Sequence, residues 1–245
     1  MDDSRTAGRL PRVILLDLDG TLVEFCIDYL AARREALRLL EDRGYLKELK
    51  LTLRDSIFHM DREVERLIKS RGEAAEGYDE IHVRLMAIVE RYESEAAERT
   101  RLLPNVRETL EELKRMGMRL VLFTADGDEA MNTVVEKTGI GHLFDRLVSR
   151  GSSVEVKPHP RHIIQATADS EARLGEIMVV GDSVADIVSG RHVGAVTVGV
   201  TTGLNSGREL LDAGADYLID SIAELPSLLR ALRTEPSLES TREQG

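Results

Sequence analysis

The chain has 245 residues, 33 basic and 44 acidic side chains, and a formal charge of -11. Its 42% hydrophobic and 31% charged content reads as soluble and globular, one large domain or two modest ones, rather than disordered. The negative charge argues against nonspecific binding to nucleic acid or an acidic membrane surface, and the single cysteine, Cys26, excludes an internal disulfide framework or a multi-cysteine zinc site.

The first predicted element is a buried strand at 12–19, Arg-Val-Ile-Leu-Leu-Asp-Leu-Asp, closed by Gly20. From Ile27 to about Arg101 the pattern is helical. Leu30, Leu37 and Leu40, then Val64, Leu67 and Ile68, then Ile81, Leu85, Ile88, Val89 and Tyr92 recur at helical spacing among Arg and Glu. Gly44, Gly72 and Gly77 punctuate this stretch, which predicts an inserted domain of three or four helices with Met60, Leu67 and Ile68 in its core.

After Leu103 the pattern alternates between helix and strand. A helix is expected from a capping-box-like start at Asn105 with Glu108 to Met116, ended by Gly117. Then follow a strand at 118–124, a helix at 129–138, a short strand near Leu147, a helix at 161–174 and a strand at 176–181. The rest reads as helix 184–193, strand 195–200, helix 208–213, strand 216–219 and helix 222–232. Such alternation predicts an α/β protein with a doubly wound parallel sheet covered on both faces. The expected division is a core of 1–21 and 103–233, a helical insertion of 22–102 and a flexible tail at 234–245. The insertion leaves the chain just after Thr21, at the C-terminal end of the first strand. Ligands bind at such strand ends in open α/β sheets, so a lid is the natural reading.

The longest apolar runs are far below the roughly 20 residues that cross a bilayer, and the acidic N-terminus lacks the apolar centre of a signal peptide. A cytoplasmic, reducing location is the expectation.

Four polar positions fall at or just past predicted strand ends: Asp17 with Asp19, Thr124, Lys157, and Asp182 with Asp186. In a parallel sheet the strand-end groups converge on one edge. Carboxylates packed together repel, and a hard divalent cation such as Mg²⁺ makes them tolerable. A hydroxyl and an ammonium opposite would hold an anion. That combination describes phosphoryl transfer.

Asp17-Leu-Asp19-Gly20-Thr21, Thr124 after Leu120-Val-Leu-Phe, Lys157-Pro158 and Gly181-Asp182-Ser-Val-Ala-Asp186 resemble, in order, the four motifs of the haloacid dehalogenase superfamily. The resemblance covers roughly 12–21 and 103–232, and the insertion resembles that family's helical cap. The layout is most similar to the phosphoglycolate phosphatase branch. The resemblance implies a Rossmann-like core and Mg²⁺. Asp17 would be the nucleophile and Asp19 the acid and base, its backbone carbonyl joining Asp17 and Asp182 around the metal. Thr124, the backbone at Ala125 and Lys157 would hold the phosphoryl oxygens. Asp186 would bind the metal through water or orient Lys157. Gly20 would permit the turn behind the nucleophile, with Thr21 beside it. The acidic residue at position 19 sorts the chain toward phosphate esters, since dehalogenases and phosphonate-cleaving relatives lack it.

The expected activity is hydrolysis of a small phosphorylated metabolite, phosphoglycolate-like or a sugar phosphate, through an aspartyl-phosphate. The competing readings are a phosphomutase of the β-phosphoglucomutase type and a noncatalytic phosphoaspartate signalling or binding protein. Receivers of that last kind are about half as long and do not carry the acceptor on their first strand. Oligomeric state is not readable. One departure stands out: where relatives often carry Asn soon after the motif Thr, this chain reads Thr124-Ala-Asp126-Gly-Asp128. Asp126 and Asp128 are expected to point away from a phosphate site and cap the next helix. The six histidines form no metal pattern and read as structural or surface residues. Cys26 reads as a small buried hydrophobe, and Arg33 and Arg34 as a solvated helix face.

Overall fold

The computed structural model describes residues 11–72, 75–152 and 155–234. Most of the expected 234–245 tail, from 235 on, lies outside them. By residue contacts the chain forms two units, one from the residues up to Phe25 and from Thr100 onward, the other Cys26–Arg99.

The first unit is built on six strands among the described residues. They are β1 (Val13–Leu16), β2 (Arg119–Phe123), β3 (Arg146–Val148), β4 (Ile177–Gly181), β5 (Val196–Val200) and β6 (Tyr217–Ile219). Their order is β3-β2-β1-β4-β5-β6, every neighbouring pair parallel. β1 is therefore interior, with Leu16 in register with Leu122 on one side and Val180 on the other. All four β1 residues are buried, as are all five of β4 and of β5, because a parallel sheet covered on both faces excludes water from both sets of alternate side chains. Each fully buried Ile or Leu contributes roughly 1.5–3 kcal/mol. One face packs Val13, Leu15, Val121, Phe123, Ile177 and Val179 against Ile163 and Ala166 of α6 (Pro160–Ala166) and Val193 of α7 (Val184–Val193). From β1 the chain goes to β2 on one side and later returns to β4 on the other. The crevice beyond the C-terminal ends of β1 and β4 is thus the topological switch point.

The remaining helices of this unit are α4 (Val106–Arg115), α5 (Asp128–Thr138), α8 (Gly207–Asp212) and α9 (Leu225–Thr234). Two sequence expectations are corrected here. Asn105 is the N-cap of α4, but it sits at φ +61°, and its side chain makes no capping bond, so the capping box with Glu108 is not formed. The helix expected over 161–174 ends at Ala166. There Thr167 Oγ1 donates back to the Ile163 carbonyl at 2.9 Å, and Ser170 Oγ donates to the Thr167 carbonyl at 2.7 Å, offering the backbone a turn instead of a helix.

Beside β1, Val23 bridges both Asp19 and Leu102. Glu24 N–H donates to the Arg101 carbonyl at 2.9 Å and Leu103 N–H to the Leu22 carbonyl at 3.0 Å. The chain entering and leaving the inserted stretch is thereby paired within the first unit.

The second unit holds α1 (Tyr29–Asp42), α2 (Ile57–Arg71) and α3 (Ala75–Ala97). Asp28 caps α1 by accepting from Ala31 N–H, Ser56 caps α2 by accepting from His59 N–H, and Gly72 ends α2 in the left-handed region. Its core is Ala36 and Leu40, Met60, Val64 and Ile68, with Ile81 and Leu85. Leu67 is only half-buried. Asp61 of α2 accepts from Tyr78 OH and pairs with His82 Nδ1, both on α3, at 3.0 Å. Arg33 donates to the Leu53 carbonyl at 3.1 Å and lies over the Tyr29 ring.

Candidate active site

Asp17 follows directly on β1, its N–H still in the ladder, donating to the Val180 carbonyl at 3.0 Å. The chain then turns sharply. Leu22 N–H donates to the Leu18 carbonyl at 2.8 Å, and Gly20 N–H to the Val23 carbonyl at 2.8 Å. Gly20 sits at φ +80°, and a Cβ there would overlap the Asp182 carboxylate, so the turn demands glycine on two counts. Thr21 is fully buried and its Oγ1 donates to Asp182 Oδ1 at 3.4 Å.

Asp182 follows β4 in the same way, and Asp186 occupies the first turn of α7. Asp17, Asp182 and Asp186 are buried, and each presents one carboxylate oxygen within 4.8 Å of the others. Lys157 enters this cluster from the loop before α6, its side chain only 4% exposed. Its Nζ donates to Asp17 Oδ1, to Asp186 Oδ1 at 2.7 Å and to the Phe123 carbonyl at 3.1 Å. The other Asp186 oxygen accepts from Ser183 N–H at 3.1 Å and Ser183 Oγ at 2.6 Å, closing a capping box on α7. Thr124, at the end of β2, is buried, with its N–H on the Val148 carbonyl at 3.0 Å. Ala125 follows, half-buried, its carbonyl accepting from Arg150 at 2.7 Å.

Burial is the largest influence on the carboxyls. It pushes Asp17 well above the usual carboxylate range. Lys157 opposes that push, while Asp186 and Asp182 add to it. Burial and then Asp186 raise Asp182 to about 6, with the Leu204 N–H pulling the other way. For Lys157 burial works against the ammonium, but Asp17 and Asp186 outweigh it and hold its pKa above the ordinary value.

The expectation that Asp126 points away from the site is overturned. Asp126 is buried, and its carboxyl lies close enough to that of Asp19 to push the Asp19 pKa up. Burial, then Asp126, then Asp17 and Asp182 raise Asp19 well above the usual range. The reason lies in the local turn. Asp126 N–H donates to Thr124 Oγ1 at 3.1 Å and its carbonyl accepts from Arg150 N–H at 2.7 Å, which folds the segment back toward the strand ends. Asp128 does turn elsewhere, to the Ser149 hydroxyl, and stands in the first turn of α5, whose N-cap is Gly127.

Sequence reasoning also missed the turn after β5. Leu204 N–H donates to Asp182 Oδ2 at 2.5 Å, and Thr202 Oγ1 donates to the Gly20 carbonyl. Thr-Thr-Gly-Leu-Asn carries no catalytic side chain, so only its glycine hinted at a close approach. Among the histidines, His162 is fully buried, 4.4 Å from the Phe123 ring, and burial pulls its pKa down to about 4. It is a core residue. Cys26 is half-buried.

The donor set suits a hard divalent cation. Three buried carboxylates face one ammonium, so the cluster carries more negative charge than Lys157 neutralises, and every free donor is oxygen. An all-oxygen site with an adjacent lysine and a strand-end hydroxyl is a site for handling phosphoryl groups.

The match to known proteins agrees with this geometry. Residues 11–194 fit the haloacid dehalogenase-like hydrolase family, and the chain belongs to it. It is similar to the phosphoglycolate phosphatase of Nitrosococcus oceani, 29% identical over 232 residues, covering 89% of this chain and 96% of that one. It is 34% identical to that of Haemophilus influenzae over 130 residues, a shorter match covering 53% of this chain and 58% of that protein. Among solved structures it resembles a predicted phosphoglycolate phosphatase from Haemophilus somnus, with TM-score 0.62, 27% identity, and coverage of 89% of this chain and 97% of that one. The chain is a hydrolase of phosphoric monoesters in that family. No helix among the described residues is long and apolar enough to cross a membrane.

Proposed function

We propose that this phosphatase hydrolyses small phosphorylated metabolites in two steps, through a phosphoryl group carried on Asp17, with Mg²⁺ as cofactor. The observation that carries the reading is the convergence of Asp17, Asp182 and Asp186 on one another with Lys157 Nζ between Asp17 and Asp186.

In the first step an Asp17 carboxylate oxygen bonds to phosphorus as the ester P–O bond breaks, and the proton of the Asp19 carboxyl goes to the leaving oxygen. Burial and the neighbouring Asp126 favour that protonated form of Asp19. In the second step Asp19, now a carboxylate, takes a proton from water, whose oxygen bonds to phosphorus. Phosphate leaves and Asp17 is restored. Lys157, Thr124 Oγ1 and the backbone at Ala125 hold the phosphoryl oxygens, and Asp186 orients Lys157 from behind. Asp17, Asp182 and the Asp19 carbonyl, with Asp186 close by, would hold Mg²⁺. Bound there, the cation screens an anionic nucleophile from an anionic phosphate.

The relatives' names make 2-phosphoglycolate the first substrate to test. Asp126 favours another choice. Asp19 serves the leaving oxygen, so the Asp126 carboxyl adds negative charge on the leaving-group side. A second carboxylate about 5 Å away would be repelled by roughly 3 kcal/mol at an effective dielectric of 20. A neutral, hydroxyl-bearing leaving group such as that of a sugar phosphate suits this site better.

The test is turnover of p-nitrophenyl phosphate with Mg²⁺ and with EDTA, followed by kcat/KM on 2-phosphoglycolate and a panel of sugar phosphates. Full activity in Asp17→Asn would remove the nucleophile assignment. Turnover of a sugar phosphate without phosphate release would replace hydrolysis by a mutase reaction.

A further inference from the structure

Asp182 lies among like charges, yet its carboxylate is held still. Oδ2 accepts from Leu204 N–H at 2.5 Å, and Oδ1 faces Thr21 Oγ1 at 3.4 Å. The turn that supplies Leu204 is itself fixed by Asn205. Asn205 N–H donates to the Asp182 carbonyl at 3.2 Å, while its Oδ1 accepts from Val184 N–H at 3.0 Å. Val184 is the first residue of α7, so that N–H is one of the helix's unpaired donors. One side chain thus brackets Asp182, joining the turn after β5 to the start of α7 on either side of it.

We infer that Asn205 is a positioning residue for the divalent cation, acting through Asp182. With Oδ2 tied to Leu204, the carboxylate of Asp182 no longer turns freely. Its place therefore depends on where residues 202–205 sit. Thr202, bonded to the Gly20 carbonyl, ties the same turn to the loop behind Asp17, so Asp17 and Asp182 are set by one connected piece of backbone. Without the Asn205 bond to Val184 the turn gains freedom, Leu204 N–H drifts from Oδ2, and like-charge repulsion moves Asp182 out of its place beside Asp17. Partners of this outer kind typically change metal affinity 10–100-fold. The inference rests on the reading of Asp182 as a metal ligand.

The experiment is calorimetric titration of the full chain with Mg²⁺, alongside the Mg²⁺ concentration giving half-maximal turnover. Asn205→Ala is expected to weaken Mg²⁺ binding about tenfold and to raise the half-maximal concentration by the same factor. Val184→Pro removes the same hydrogen bond from the other end, at a helix position where proline is tolerated. It is expected to reproduce that loss, and the double variant to add nothing further. Asn205→Asp, which keeps the acceptor oxygen, should recover most of the affinity. If Asn205→Ala does not fold, Val184→Pro carries the test. Mg²⁺ affinity within about twofold of the parent in a folded variant overturns the role of Asn205, leaving a helix cap and nothing more. Normal Mg²⁺ binding by Asp182→Asn overturns instead the ligand assignment beneath it.

Discussion

Lys157 Nζ lies 2.7 Å from Asp186 Oδ1, and the other oxygen of that carboxylate caps α7 through Ser183. The lysine is therefore aimed by a helix terminus, and it is the cation that makes the Asp17–Asp186 pairing tolerable. Lys157→Met, nearly isosteric but uncharged, leaves two buried carboxylates unpaired. We expect a loss of about 3 kcal/mol in denaturant unfolding without divalent cation, and a larger stabilisation by Mg²⁺ than in the parent. A loss below about 1 kcal/mol would mean that Lys157 does not hold the cluster together.

Asp126 raises the pKa of Asp19 after burial has done so. Asp126→Asn removes that Coulomb contribution, so Asp19 gives up its proton at lower pH. In the proposed mechanism the acid form of Asp19 needed for the first step then fails sooner as pH rises. The alkaline limb of the kcat/KM profile is expected to move to lower pH. The same variant should narrow the preference for sugar phosphates over 2-phosphoglycolate. An unmoved limb would separate Asp126 from Asp19 in function.

Asp182 is held at about 6, above the ordinary 3.8 of a carboxyl. Between those values the folded state binds more protons than the unfolded, so this group's contribution makes the metal-free protein less stable as pH rises through the window. On the proposed reading Asp182 binds Mg²⁺ in its deprotonated form, so the stabilising effect of the metal runs the other way. The Mg²⁺-induced rise in Tm is expected to be much larger at pH 7.5 than at pH 5. Metal-free Asp182→Asn should be more stable than the parent at pH 7.5, by up to about 3 kcal/mol. Equal Mg²⁺ shifts at the two pH values would contradict both.

Gly203 lies so close to Asp182 that a Cβ there would overlap its carboxylate. Gly203→Ala is expected to cut turnover at fixed Mg²⁺ by 10–100-fold or so, by displacing that carboxylate. Gly44→Ala is the control: it meets nothing within 4 Å, but its φ of +79° costs a side chain about 1 kcal/mol. It should lower Tm slightly and leave turnover alone.

The strands are legible in the sequence because unbroken apolar runs ending in Asp, Thr or Gly have few other uses, and their alternation with helices fixes a parallel sheet. Asp17, Asp182 and Asp186 can be brought to one edge of the sheet from that alone, whereas the adjacency of β1 and β4, which closes the cluster, is a finding of the structure. The course of the loops is not legible in the same way. Whether Asp126 faces in or out depends on two hydrogen bonds, to Thr124 and Arg150, that no periodicity encodes. The 202–205 turn is tied to its surroundings by the Thr202 and Asn205 side chains, but it reaches Asp182 through backbone N–H groups, which every sequence has, so that contact leaves no mark on residue identity beyond Gly203. Past Ala166 the helical pattern persists on paper, but Thr167 and Ser170 spend their hydroxyls on the backbone and end it.

β1 carries Asp17 from the interior of the sheet, paired on both sides and buried along its whole length. Interior strands are among the last segments to open, so their amides exchange through global unfolding rather than local fraying. The Asp17 carboxylate, the nucleophile of the proposed mechanism, thus has no private route to disorder. On heating, catalytic competence and the cooperative melt of the α/β unit should vanish as a single event, with no warm, intact but idle form between them.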